Sequence, residues 1–280
     1  MKILYGANNN AGSNTMLKRF IENSPQHSIR AMGYYKNSDC LRTIDWCLDA
    51  LYQTSVGDKN YFMLNHGIKG PHINHEMADT VINDLVDWEP DLVISECEPF
   101  SAMIAKALEV PLWYCSPMLQ LTGIEMSPKD INSRLFDKSK QKILGLPKGD
   151  RYLVYSPLCD IAGRPFLKEG YEYVRPYSKN PTETSLVDVS DIERCIPSSH
   201  LLCTGETSLL SDCLYSEKTF WITPSPKEEE QVLNAQLFET YGVAKNIGRP
   251  NSLSFVQKLV ENPIKAKISL QNWKLLDEML

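Results

Sequence analysis

The sequence predicts an α/β protein built from two Rossmann-like halves, and three observations carry that prediction. Strand and helix patterns alternate from the first residue, the arrangement of βαβ units on a mostly parallel sheet. The strands are short and apolar, as in Leu92-Val93-Ile94, which reads as a strand buried on both faces. Polar and Gly-containing clusters follow the strands, where open α/β sheets bind their ligands.

In chain order, candidate strands lie at 2–7, 28–34, 61–64, 91–96 and 112–115, with helix patterns at about 14–22, 40–53, 74–88 and 100–109. The third helix is the clearest, since Met77, Val81, Leu85 and Trp88 recur near the 3.6 period and Pro90 ends it. After Cys115 a basic helix lies between the breakers Pro128, Gly145, Pro147 and Gly149, as an interdomain connection would. A second strand set follows at 152–155, 171–174, 201–204, 220–223 and 243–247, with helices near 187–195, 207–216 and 228–241. Two more helix patterns, about 252–261 and 266–279, close the chain. The expected division is residues 1–148 for the first half and its linker, 149–245 for the second, and 246–280 for the terminal helices.

A length of 280 residues allows two domains, each with its own core. No run approaches the roughly 18 to 20 apolar residues that span a bilayer, and a strand pattern stands where a leader would, so a cytoplasmic protein is expected. The eight cysteines show no C-x-x-C and no zinc-ribbon spacing, which points to reduced packing thiols. The formal charge of −6 argues against wholesale electrostatic binding to nucleic acid, although Lys129 to Arg151 holds seven basic and three acidic residues.

Four clusters carry candidate chemistry. The loop Gly6-Ala7-Asn8-Asn9-Asn10-Ala11-Gly12-Ser13-Asn14 tolerates positive φ and close ligand approach, with Ser13 or Asn14 as an ordinary helix N-cap in the alternative reading. Glu96 and Glu98 end an apolar strand and open a helix. Either can act as general base toward a hydroxyl, or simply complement the helix dipole. His66, His72, His75 and Glu76 form a loop entering a helix, but match no strong metal-ligand spacing and read chiefly as solvated loop residues. Last comes the stretch from His200 to Gly242. Its Gly205 turn with Glu206, Thr207 and Ser208 opens a helix toward an anionic phosphate, and Asp212 lies one turn further on. One βα unit later, Glu230, Gln231 and Asn234 offer hydrogen-bonding groups suited to sugar hydroxyls.

These residues give a family likeness. Lys2 to Gly6 with its loop, Asp91 to Pro99, Tyr173 to Tyr177 and Thr204 to Gly242 resemble the GT-B nucleotide-sugar glycosyltransferases. The likeness is to the group of the bacterial N-acetylglucosaminyltransferase of lipid II synthesis and its short archaeal and phage relatives. It implies an acceptor-binding first domain, a second domain that binds the nucleotide sugar, and terminal helices that return to the first. By the same likeness Asp212 or Glu206 holds the ribose, Glu230, Gln231 and Asn234 meet the sugar, and Arg175 lies in the nucleobase loop. Family members usually carry Gly-His in the first loop. Here Ser13 follows Gly12, so a base comes from elsewhere, with Glu98 first and Glu96 second.

The expected activity is transfer of a sugar from a nucleoside diphosphate, UDP first, to an acceptor hydroxyl. Inversion is implied by the likeness, and no metal or other cofactor is expected, because backbone N–H groups at the Gly205 turn would stabilise the leaving diphosphate. A hydroxymethylated base in phage DNA is the specific acceptor expected, with Lys138, Lys140, Lys142 and Arg151 meeting phosphates and a solvated linker as the alternative; a lipid-linked sugar, a glycan and a small metabolite are the other acceptors. Other readings are a nucleotide-sugar 2-epimerase and a non-catalytic nucleotide-binding subunit.

Overall fold

The computed structural model describes residues 1–8, 11–32, 47–48, 61–64, 68–71, 75–125, 133–178, 200–215, 219–248 and 273–280. In chain order the elements are β1 (Lys2–Gly6), α1 (Ala11–Asn23), β2 (Ser28–Met32), β3 (Cys47–Leu48), β4 (Tyr61–Leu64), β5 (Ile68–Pro71), α2 (His75–Trp88), β6 (Leu92–Ser95), α3 (Pro99–Ala107) and β7 (Leu112–Ser116). They continue with α4 (Gln120–Gly123), α5 (Asp137–Leu144), β8 (Arg151–Tyr155), β9 (Tyr171–Val174), β10 (His200–Cys203), α6 (Thr207–Tyr215), β11 (Thr219–Ile222), α7 (Glu229–Thr240) and β12 (Lys245–Asn246). The chain divides into two compact units. Unit 1 holds Met1–Thr122, Asp137–Val154 and Gly170–Glu172; unit 2 holds Gly123–Phe136, Tyr155–Glu169 and Tyr173–Leu280.

The larger sheet has the strand order β3-β2-β1-β6-β7-β8-β9. Its ladders from β3 to β8 are parallel. Ile3, Leu4, Val93, Ile94 and Leu112 are fully buried in it, as strands covered on both faces require. Met16, Leu17 and Phe20 of α1 and Ile104 and Ala105 of α3 are among the helix residues buried with them. Strand order reverses between β1 and β6, where Gly6 pairs with Ser95. A doubly wound sheet opens its ligand crevice at that point, beyond the strand ends.

Four local expectations are corrected. The 40–53 helix pattern contains β3, a two-residue strand paired with Ala31 and Met32. Sheet pairing there overrides a helical periodicity. β4 pairs antiparallel with β5, which the sequence hid because Gly70 and Pro71 read as breakers. The strands over 152–155 and 171–174 were expected in the second set, but β8 and β9 extend the first sheet. Their side chains explain it: Tyr152 stacks on Tyr114 at 5.5 Å and meets Tyr171 at 5.2 Å. Arg151 lies over Trp113 and pairs with Glu172 through two bonds of 3.1 and 2.8 Å. Finally, α1 opens at Ala11, so Ser13 and Asn14 lie inside its first turn and not at the cap position.

Unit 2 contains a three-stranded parallel sheet in the order β10-β11-β12. Phe220, Trp221 and Ile222 of β11 are buried with Leu210 and Leu214 of α6 and with Leu233, Leu237 and Phe238 of α7. Helix α7 also buries Glu230, Gln231 and Asn234, so its inward face is partly polar. Trp273, near the chain end, donates from Nε1 to the Cys159 carbonyl at 3.0 Å and lies edge-on to Tyr173. Tyr177 Oη donates to Asp277 at 2.6 Å. The helix expected over 187–195, the one over 252–261 and most of the one over 266–279 lie outside the described residues. Cys115, Cys159, Cys203 and Cys213 are buried free thiols, and Cys97 is a half-buried one. Among the described residues no helix is long and apolar enough to cross a membrane.

Candidate functional site

In unit 1 the strand-end cluster is built around β6. Ser95 Oγ accepts from the Glu98 N–H at 2.9 Å and donates to the Glu98 carbonyl at 3.0 Å, folding the chain back after the strand. Cys97, between the two glutamates, takes φ of 61°. That left-handed conformation costs about 1 to 3 kcal/mol in a residue other than glycine and is held by the surrounding bonds. Glu98 is the N-cap of α3. Its carboxylate accepts from the Phe100 N–H at 2.9 Å and the Ser101 N–H at 2.6 Å, with Pro99 at the first helical position. Of the two readings of Glu98, capping is the one its hydrogen bonds display.

Glu96 has a different setting. Tyr5 Oη donates to Glu96 Oε1 at 2.6 Å, and the Asn8 N–H approaches Oε2 at 3.5 Å. Tyr5 is fully buried against Phe20, so its hydroxyl has a fixed position. Gly6 is required here: a Cβ on it would lie 2.1 Å from Ser101 Oγ. Burial pushes the Cys97 thiol up to about 12, against a hydrogen bond with Ser116, and so disfavours its thiolate. Tyr5 and Ser101 are site-forming residues that sequence reasoning missed. The small residue at position 6 was the available signal. Asn9 and Asn10 lie outside the described residues, as do His66 and His72; Gly12 and Ser13 sit in the first turn of α1, and His75 begins α2.

In unit 2 the structure gathers the residues of the Gly205 turn and those of α7. Gly205 has φ of 95°, and a Cβ there would meet the Gln231 carbonyl oxygen at 2.9 Å. Only glycine lets the two βα turns approach so closely. Glu206 immediately precedes α6, its carbonyl accepting from Leu210 N–H at 2.8 Å. Thr207 donates to Glu230 Oε1 from both its N–H, at 3.1 Å, and its hydroxyl, at 2.9 Å. Asn234 Nδ2 donates to the Gly205 carbonyl at 2.9 Å and to Thr207 Oγ1 at 3.0 Å. Gln231 Oε1 accepts from the Ser225 N–H at 2.9 Å and fixes the loop before α7.

Beside this closed chain of bonds, the hydroxyls of Thr204, Ser208 and Ser211 are buried without a hydrogen-bond partner among the described residues. Ser208 is 1 % exposed, and its own N–H and that of Leu209 belong to a first helical turn, which offers them no internal acceptor. Unmatched buried hydroxyls beside such N–H groups form an array of hydrogen-bond donors suited to an anion. Asp212 is buried one turn further along α6. Burial, then Glu230 and Glu228, raise the Glu206 carboxyl to about 7, and burial likewise raises Glu230 against its two bonds from Thr207.

Arg175 and the basic residues expected to meet phosphates have settings of their own. Arg175 pairs with buried Asp160 at 3.1 Å and lies over the Tyr215 ring, whose hydroxyl it also meets at 3.2 Å. Tyr215 ends α6, about 12 Å along the helix from Thr207. In unit 1, Lys138, Lys140 and Lys142 are exposed on α5, whereas Arg151 is engaged with Glu172 and Trp113.

Solved structures share this architecture. CalG4, the calicheamicin glycosyltransferase, superposes with a TM-score of 0.55 at 14% identity, over 94% of this chain and 89% of that one. SsfS6 of Streptomyces sp. SF2575, in complex with thymidine diphosphate, gives 0.53 at 13% identity over 88% of each chain. SnogD from Streptomyces nogalater gives 0.51 at 11% identity, over 94% of this chain and 91% of that one. No family model and no curated sequence matches the chain. The fold is that of the GT-B glycosyltransferases.

Proposed function

We propose that the chain transfers a sugar from a nucleoside diphosphate to an acceptor hydroxyl. The observation that carries this reading is the start of α6, where the buried, unmatched hydroxyls of Thr204 and Ser208 accompany first-turn N–H groups after a tight Gly205 turn. In the reaction the acceptor oxygen forms a bond to the anomeric carbon while the bond from that carbon to the phosphate oxygen breaks. The electron pair leaves on the diphosphate, whose charge the α6 start stabilises; one such hydrogen-bond donor is worth about 3 to 4 kcal/mol of barrier. The acceptor proton goes to a carboxylate. Glu96 suits this role better than Glu98, whose oxygens cap α3. Inversion follows from a single displacement. Asp212 or Glu206 binds the ribose, and no metal is needed.

Uridine is the first candidate nucleotide, with thymidine beside it because SsfS6 was solved with thymidine diphosphate. Thermal shift with UDP, TDP and their sugars tests the reading, since a ligand at 100 times its Kd adds about 2.7 kcal/mol of stability. No shift with any nucleoside diphosphate would refute it. A turnover that needs no acceptor would instead identify a 2-epimerase, and binding without turnover a non-catalytic subunit. The DNA acceptor draws support from the exposed lysines of α5, without Arg151. It predicts duplex binding that weakens steeply with salt, and no binding at about 50 mM salt would exclude it.

A further inference from the structure

Glu230 is 7 % exposed, yet it lies at the start of α6 with the geometry of a bound anion. One of its carboxylate oxygens accepts from both the N–H and the hydroxyl of Thr207, 23 residues away in sequence. These are hydrogen-bond donors that a phosphate at this turn would use. Asn234 completes the arrangement by donating to Thr207 Oγ1, so the threonine hydroxyl already has both a donor and an acceptor. The neighbouring Ser208 and Thr204 hydroxyls have neither among the described residues. The turn therefore consists of a half closed by an internal carboxylate and a half left unmatched.

We propose that Glu230 is a built-in anion of the α6 start, holding the two Thr207 hydrogen-bond donors in the unliganded chain and giving them up when a nucleoside diphosphate binds. This rests on the reading of the Gly205 turn as the diphosphate site and adds a cost that every anionic ligand has to overcome there. A phosphate that engages Ser208 and Thr204 alone lies beside a buried carboxylate, and like charges at that distance repel strongly in a poorly solvated site. Reaching Thr207 requires the Glu230 side chain to turn away. Glu230 thus limits affinity for the nucleotide itself, a role separate from any contact with the sugar. Glu206 and Glu228 face the same turn and add to its negative charge.

The probe is UDP, with TDP in parallel, because neither carries a sugar. Calorimetric titration at pH 8 should show Glu230→Gln binding UDP roughly tenfold tighter than the wild-type protein. Glu229→Gln, which removes the same charge from an exposed position next door, should stay within about twofold because solvent screens it. Unchanged or weaker UDP affinity in a folded Glu230→Gln variant overturns the proposal. Absence of UDP and TDP binding by wild type and variants alike overturns the diphosphate reading beneath it. Should Glu230→Gln fail to fold, the wild-type Glu230 carboxyl carbon resonance takes its place. It should move on saturation with UDP, and a resonance that stays put contradicts release of the carboxylate.

Discussion

The strand-to-helix turns at Ser95–Ser101 and at Thr204–Ser208 face the same problem and answer it with carboxylates of different origin. At the first, Glu98 caps its own helix, accepting from residues two and three positions ahead. At the second, the cap comes from Glu230 of the following βα unit. A local cap forms whenever its helix forms, and it leaves α3 no vacant first-turn partner for a ligand at those two N–H groups. A distant cap depends on tertiary packing and can be withdrawn while the helix stays intact. The first turn therefore reads as architecture around Glu96, and the second as a binding element.

Substitution at the glycines should break the comparison most severely. Gly205→Ala meets both a left-handed backbone and the Gln231 carbonyl, so a loss of about 3 kcal/mol in chemical denaturation is expected, together with loss of UDP binding. A fully stable Gly205→Ala protein would show that the two turns do not depend on close approach. Next comes Glu98→Ala, which removes a charged cap and should lower stability by about 2 kcal/mol while leaving UDP affinity within twofold. A marked fall in UDP affinity would contradict the assignment of Glu98 to architecture.

Tyr5→Phe should lower stability by about 1.5 to 2 kcal/mol, since it deletes one hydrogen bond to the buried Glu96 carboxylate. If Glu96 is the base, the acid limb of the kcat/KM profile should also move to higher pH, because the lost bond favoured the charged form. Glu206→Gln is expected to change chiefly the pH dependence of stability. The Glu206 carboxyl is raised from 4.5 to about 7 in the folded chain, so its stabilising contribution is complete below 4.5 and is lost as pH rises through about 7. Melting temperatures at pH 5 and pH 8 should therefore lie closer together in Glu206→Gln than in the wild type.

The comparison also explains which parts of the molecule were legible in the sequence. Buried parallel strands such as Leu92 to Ser95, and helices with a clear apolar period such as α2, depend on local pattern, so they were predictable almost to the residue. The Gly205 turn was visible because glycine and hydroxyl residues at a helix start have a local meaning. What Glu230 and Asn234 do was not visible. Their i and i+4 spacing marks one helix face but cannot say what that face meets. The same holds for Tyr5, whose partner Glu96 lies 91 residues away, and for the tyrosines that draw β8 and β9 into the first sheet.

The central claim, that the start of α6 is a nucleoside diphosphate site, is tested most directly by Ser208→Ala. Its hydroxyl is buried and unmatched, so deleting it should raise the unliganded stability by about 1 kcal/mol. In the same protein UDP affinity should fall at least tenfold, because the ligand loses a charge-assisted hydrogen bond worth roughly 1.5 to 3 kcal/mol. Gain in one measurement with loss in the other is the predicted result. Equal UDP affinity in wild type and Ser208→Ala, measured by calorimetry, would contradict the account.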